Sequence, residues 1–518
     1  MGKKAKKQET ISVYDLLGGG LTYIYLALMM GVFPIYYPGT LIGLQAVKSG
    51  FFIIVTTVYG CLMAIFFLIR AAVAFREHRK IKVDASDVLM AVFAGAILIS
   101  TLLAPDRTKA FFGDSSIRTG ATVMLLCVLV YYAVKMYAKF DKFILWANLL
   151  ASTLINISGI LITCRTDILK MQEGIIEAQT PIFVSPLGNI DYNVSYISLI
   201  LPAAMALFLM VQKLFTKRTL VIYLYISFMN IICLRTQSSV ILTIFSFVLL
   251  LYFALEHSNW LSRYFMALQI FIAANVTVYF LRSVVKVPMF AFDGLNAFLL
   301  KPEVIVFEIA VFAVLFWLKK AAGKLSDEKV RKLQKLYGIA FLVIIAVSAL
   351  FLVALNVLWK DAASRTILSR LILNDDTFSC RGYVWIRSVE LFLQQSFVGK
   401  LFGCGLANFY NIIYPLYGAD MIEKFNSVFY DPHNDFLWVL MTTGVVGAIG
   451  FFGSIFSTIR ASVRKKKNQK LQIMAVMSLA GFLLQGLVNS YTIFAIPILF
   501  IVLGLAHSSL SKSELESE

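Results

Sequence analysis

Fourteen continuous apolar runs divide this 518-residue chain, and they dictate its architecture. They cover approximately 20–37, 50–69, 87–103, 120–134, 143–163, 192–212, 219–234, 239–255, 264–281, 303–318, 337–357, 434–457, 471–489 and 493–508. A bilayer core takes roughly 20 apolar residues per helical span. Backbone polar groups must be paired inside lipid, so continuous apolar runs fold as helices. Alternation of apolar and polar residues would instead mark a barrel, and the runs do not alternate. The expected fold is therefore all-α, a polytopic transmembrane helical bundle of about 14 helices.

The charges set the expected orientation. The net charge of +18 could suggest a nucleic-acid partner, but the basic residues fall in short loops between apolar runs. That is the positive-inside pattern, with attraction to anionic membrane lipid, and no nucleic acid is expected. With the N-terminus inside, 30 of the 47 lysines and arginines lie in inner segments. Seven of the other 17 lie in one long outer segment, 358–433, where the rule acts weakly. This count requires 219–255 to be two helices, broken near Arg235-Thr236-Gln237-Ser238. The chain then divides into N-terminal membrane helices (1–357), an outer loop (358–433) and C-terminal membrane helices with a short tail (434–518). Both termini are expected on the cytoplasmic side of the cytoplasmic (inner) membrane, with the first run retained.

The outer loop carries its own helical pattern from Gly382, with Trp385, Ile386, Val389, Phe392 and Leu393 on one stripe and Arg387, Glu390 and Gln394 opposite. Such a helix can lie on the membrane surface. Residues 399–405 read as a turn. Cys380 and Cys404 either pair or stay reduced, whereas Cys61 and Cys127 read as packing residues. No metal-ligand spacing is present. Asp375-Asp376 is the one adjacent acidic pair in the loop.

Few residues suit chemistry on the outer side. Of the four histidines, His78, His257 and His507 map to inner helix ends. His433 alone faces outward, in Asp431-Pro432-His433-Asn434-Asp435. Pro432 fixes the approach to the helix, and a histidine is the usual general base near neutral pH. Arg381 opens the loop helix, where a guanidinium and free N–H groups hold either a phosphate or a lipid headgroup. Arg235, near the outer boundary, either snorkels to water or points into the bundle. Glu308 lies inside an apolar run, where a structural ion pair is the expected arrangement.

In combination these residues resemble a known family. His433-Asn434-x-x-Leu437 followed by Gly444-x-x-Gly447 is similar to the signature of the O-antigen ligase and O-antigen polymerase superfamily. Arg381-Gly382-x-x-Trp385, running on to Gly403-x-Gly405-x-x-Asn408-Phe409, resembles the segment preceding it. Gly113-Asp114-Ser115-Ser116-Ile117-Arg118-Thr119-Gly120 resembles the family's second outer loop. Gly188-Asn189-x-x-Tyr192-Asn193, then Pro202, resembles its Gly-Asn helix entry. The likeness runs over roughly 98–504. Two positions depart from it. Where the family often has Ser-Arg, the chain reads Ser238-Ser239, with Arg235 one helical turn earlier. Where an acid often stands before the glycine of the His helix, the chain has Thr443. A carboxylate activating His433 would then be Asp431 or Asp435.

The resemblance implies a C-type membrane glycosyltransferase. The implied partners are an undecaprenyl-diphosphate-linked saccharide donor and a glycan, lipid or protein acceptor, with no cofactor and no metal. His433 and Arg381 become the catalytic pair. Arg381, Arg235 and Arg118 become the diphosphate ligands, supported by Asn434, Asp431, Asn189 and Trp385. Polymerase and ligase remain open, as does a lipid-saccharide flippase or transporter. A transporter would spread charge along a central path, whereas here the outward charges gather at one loop.

Overall fold

The computed structural model describes residues 13–76, 83–115, 118–138, 142–285, 289–464, 469–490 and 492–508. The N-terminal lysines, His78 and the Ser116-Ile117 pair of the second-loop motif lie outside the described residues. The helices in chain order begin with α1 (Val13–Ala27), α2 (Leu44–Arg76), α3 (Ala85–Leu103), α4 (Arg107–Phe112), α5 (Ala121–Tyr137), α6 (Lys142–Thr163) and α7 (Ile190–Met210). They continue with α8 (Leu214–Cys233), α9 (Gln237–Ala254), α10 (Ser258–Val284), α11 (Gly294–Leu299), α12 (Pro302–Ala322), α13 (Asp327–Val357) and α14 (Lys360–Ala363). The last six are α15 (Thr377–Gln394), α16 (Phe397–Phe402), α17 (Phe409–Phe425), α18 (Asp435–Arg464), α19 (Gln469–Gln485) and α20 (Ile496–His507). One two-stranded antiparallel hairpin, Phe183–Ser185 with Gly188–Asn189, feeds α7.

The fold is all-α and polytopic. Each apolar run falls on a helix, and nine helices among the described residues are long and apolar enough to cross a membrane. The run 219–255 is indeed two helices, α8 and α9. Arg235, with φ +56°, stands between them, and Thr236 restarts the chain in extended conformation.

Helix α7 is the hub, with 94% of its most apolar window buried inside the protein. It packs along α19, and α3 packs along α18. Pro202 lacks an N–H, so the carbonyl of Ser198 loses its partner one turn ahead. Gly481 of α19 meets that carbonyl, and a Cβ there would lie 2.2 Å from the oxygen. The Ser478 hydroxyl donates to the neighbouring Leu199 carbonyl. A proline in one helix and small residues in the other thus bring two backbones together, a familiar packing mode inside lipid.

Several expectations change in detail. Residues 399–402 belong to α16, and the turn begins at Gly403, whose φ is +73°. The regular part of α15 begins at Arg381, because Phe378, Ser379 and Cys380 are left-handed. Its buried face is Tyr383, Val384, Ser388 and Leu391, packed on Phe409, Ile413, Met421 and Met441. Val389 and Leu393, from the expected stripe, are exposed. The helix needs its apolar side for α17 and α18, and this shifts the buried face by about one position. Glu308 accepts a hydrogen bond from Asn275 (2.8 Å) in place of an ion pair. Cys61 is exposed, Cys127 is buried, and Cys380 and Cys404 are unbonded.

Candidate active site

The approach to α18 is built around a helix break. Gly444 has φ +68°, a conformation that a side chain strains, and it interrupts α18. The break frees the carbonyls of Met441 and Thr442, which accept from the N–H groups of Cys404 and Gly405 (2.9 Å each). Close approach on both sides enforces the glycines. A Cβ on Gly444 would meet Leu401 O at 2.2 Å, and one on Gly403 would meet Thr442 C at 2.4 Å. The segment between α13 and α18 is thereby fastened to the helix that His433 immediately precedes.

His433 is itself left-handed, with φ +47°. Four hydrogen bonds hold its loop there. The Trp385 indole donates to Pro432 O (2.9 Å), and the His433 N–H donates to Asp431 Oδ1 (2.7 Å). Asn434 caps α18 by accepting from Leu437 N (3.0 Å), while its amide donates to Leu487 O (2.8 Å). The ring is then placed by Ser490. His433 Nδ1 lies 3.2 Å from Ser490 Oγ and 3.6 Å from Asp431 Oδ1, and the Ser490 hydroxyl donates to Asp431. In that chain Nδ1–H donates to Ser490, which fixes the tautomer and leaves Nε2 as the acceptor. Asp435 does not take this place. It is buried, and its N–H donates to Gly486 O (2.7 Å).

Arg381 reaches the same connection between α19 and α20. Its Nη2 lies 3.1 Å from Asn489 Oδ1 and 3.4 Å from Asp191 Oδ2. Asn489 and Ser490 are consecutive, so one short backbone step separates the residue holding Arg381 from the residue holding His433. Both residues line a cavity of about 360 Å³, with Asn189, Asp191, Asp431, His433 and Lys109 among the other walls. Asn189 caps α7 by accepting from Asp191 N (2.8 Å) and so presents Asp191 at the cavity edge. Lys109 is a second cation there, 3.4 Å from Asp114 and 3.3 Å from Asn411. A more apolar groove of about 440 Å³ adjoins the cavity and shares Gln45, Asn189 and Tyr192 with it.

The other predicted cations stand elsewhere. Arg235 is not in the cavity wall. It donates to Pro181 O and lies 5.0 Å from the Phe290 ring, which Arg165 also faces at 4.5 Å. Arg118 is exposed, though its neighbour Thr119 lines the cavity. Asp375 pairs with Lys424 (3.1 Å). Lys424 also pairs with Asp420 (3.4 Å), which accepts from the Tyr383 hydroxyl (2.6 Å). That hydroxyl and Lys424 hold the Asp420 carboxyl below its ordinary range. This network ties α15 to α17 and holds the loop in shape.

Sequence reasoning missed Asp191, Lys109, Asn489 and Ser490. One signal was present for the last two: the polar string Asn489-Ser490-Tyr491-Thr492 separates two apolar runs that could otherwise have merged. Asp191 and Lys109 carried no such mark.

The site brings a histidine with one free ring nitrogen and the cation Lys109 to one cavity beside an apolar groove, with the Arg381 guanidinium directly behind two wall residues, Asp191 and Asn489. That set can take a proton from a hydroxyl and hold an anion whose remainder is apolar. No curated protein matches the chain. Residues 304–452 match the family model described as O-Antigen ligase, a stretch that contains Arg381 and His433 and ends before Asn489 and Ser490. Multi-pass helical architecture, the ordered motifs and this match agree: residues 304–452 carry an O-antigen ligase domain, of a family whose members act in glycan transfer for cell-surface polysaccharide synthesis.

Proposed function

We propose that the protein transfers a saccharide from an undecaprenyl-diphosphate carrier to a hydroxyl acceptor on the outer side of the cytoplasmic membrane. The observation that carries this reading is the Asn489–Ser490 step in the cavity wall: Asn489 accepts from the Arg381 guanidinium behind that wall, and Ser490 meets His433 on it. His433 Nε2 takes the proton of the acceptor hydroxyl, whose oxygen attacks the anomeric carbon. The bond from that carbon to the diphosphate oxygen breaks, and the lipid diphosphate leaves with the electron pair. Arg381 stabilises the charge that develops there, with Lys109 near the same wall. Asp431, through Ser490, holds the imidazole in the orientation that this transfer needs. The proton later passes from His433 to water.

Arg235 and Arg118 take supporting parts in this scheme. Arg235, with Arg165, is proposed to meet the diphosphate on its way in, because Pro181 lies between Gln179 and Phe183 of the apolar groove. The basic loops support placing both termini on the cytoplasmic side, which sets the cavity on the outer face. A deletion strain should accumulate the lipid-linked saccharide and lose the finished glycan, and plasmid-borne wild-type protein should restore it. A deletion that leaves both pools unchanged contradicts the proposal.

A further inference from the structure

Three tyrosines stack beside the cavity, and the reaction scheme above gives them no task. Tyr410 stacks on Tyr414 and on Tyr430, with centroids 4.9 Å apart in both pairs and planes inclined by 25° and 22°. Tyr410 and Tyr430 line the cavity. Tyr430 is 63% exposed and Tyr414 38%. Tyr410 and Tyr414 are one turn apart on α17, so the helix itself holds that pair in register. Tyr430 comes from the other side, on the strand of chain that runs through Asp431 and Pro432 to His433. An exposed aromatic supported from behind by a second and third ring is a rigid flat surface.

Flat aromatic faces suit one class of ligand present in this reaction. A pyranose ring has a face of C–H groups and a rim of hydroxyls. The aromatic face carries negative charge from its quadrupole and attracts polarised C–H groups. It disfavours a diphosphate. A polyprenyl tail has the separate apolar groove, walled by residues such as Leu41, Leu44 and Phe494. Around the tyrosines the walls are polar: Lys109, Asp114, Thr119 and Asp431 stand ready for hydroxyls. The position is on the base side of the site, two residues before Pro432 and three before His433.

We propose that Tyr430, stiffened by Tyr410 and Tyr414, is the stacking platform for a sugar ring of the acceptor glycan. The proposal rests on the transfer reading for the word acceptor, and on geometry alone for the sugar. Its test therefore has a binding arm without donor. The probe is a set of oligosaccharides released by mild acid from the producing cell's own surface polysaccharide. Saturation-transfer NMR on purified protein should show binding to wild type and to Tyr430→Phe. Tyr430→Ala should weaken it roughly tenfold, the equivalent of about 1.4 kcal/mol, within the range of an aromatic contact. Tyr414→Ala, which removes only backing, should weaken it roughly threefold. In transfer assays the Tyr430→Ala loss should fall on the acceptor KM and be rescued by Tyr430→Phe. Equal binding by wild type and Tyr430→Ala would overturn the platform. A loss confined to the donor KM would overturn its assignment to the acceptor. Tyr430-dependent binding in a protein that transfers nothing would keep the platform and remove the transfer reading.

Discussion

His433 and His507 stand toward opposite ends of α18, the first just before it and the second reaching it from the end of α20, and they use similar parts. His433 stands at the entry to α18, with Asp431 and Ser490 on its Nδ1. His507 sits against the far end. Its Nδ1 is 3.2 Å from Asp84 and its Nε2 is 2.9 Å from Thr458 Oγ1. The run from Asp435 to Thr458 is roughly 35 Å of helix, about a bilayer apart. The difference is access. The His507 side chain is 4% exposed and both its nitrogens are taken, whereas that of His433 is 37% exposed and lines a cavity. Lys135 closes the His507 cluster by pairing with Asp84 (2.7 Å) and Asp87 (2.6 Å). A His, an acid and a hydroxyl therefore do not define a catalytic site. What sets His433 apart is a free nitrogen on an open wall.

Substituting the two histidines should separate them most sharply. His433→Ala should lower transfer by roughly 10² to 10⁴, the range for loss of a general base, with little change in stability. His507→Ala removes one partner each from Asp84, which keeps Lys135, and from Thr458, which keeps Ser454 O, and it empties a buried site. It should cost roughly 1–3 kcal/mol of stability while the folded fraction transfers normally. Thermal unfolding in detergent and activity per folded molecule read the two effects. Interchanged outcomes would dissolve the contrast.

The next largest effect belongs to Arg381. Lysine is a point charge without a fork, so Arg381→Lys should stay impaired by roughly 10² or more in kcat. Full rescue by lysine would mean that charge alone suffices. Arg235 offers a graded comparison, because it stands outside the cavity wall with Arg165 at Phe290. Arg235→Ala should cost about tenfold, mainly in donor KM, as expected for one peripheral charge-assisted contact. A loss equal to that of Arg381→Ala would place the diphosphate nearer to Arg235.

The smallest effect concerns the loop. The Asp420 carboxyl is held below its ordinary range by Tyr383 and Lys424. The folded loop therefore binds fewer protons at this position than the unfolded chain. Its contribution is present above the unfolded carboxylate pKa and is lost as pH falls through the lowered, folded value. Hydrogen-exchange protection in α17, taken relative to the intrinsic rate at each pH, should fall on acidification in wild type and change less with pH in Asp420→Asn. Identical pH profiles would remove Asp420 from the loop's support.

The bundle was legible because lipid leaves the backbone few choices. Apolar runs and basic loops located the helices, and the need for an inner 319–336 separated α8 from α9 before Arg235 was seen to break the chain there. His433, Arg381, Asn434 and Trp385 were legible because they sit in one motif-bearing stretch. The partners of the first two were not. Asn489 and Ser490 are more than fifty residues from His433 in sequence, and only folding of α19 and α20 brings them back. Arg235 marks the reverse case. It is close in sequence to a family position, yet a left-handed backbone and Pro181 hold it away from the wall.

The division of labour between His433 and Arg381 is tested most directly by measuring donor binding and transfer on the same purified variants. The donor is the producing cell's own undecaprenyl-diphosphate saccharide, and its binding is measured without acceptor. His433→Ala should bind it like wild type and transfer almost none. Arg381→Ala should bind it weakly. Wild-type transfer by a stable His433→Ala protein, or equal donor binding by all three proteins, would contradict the assignment.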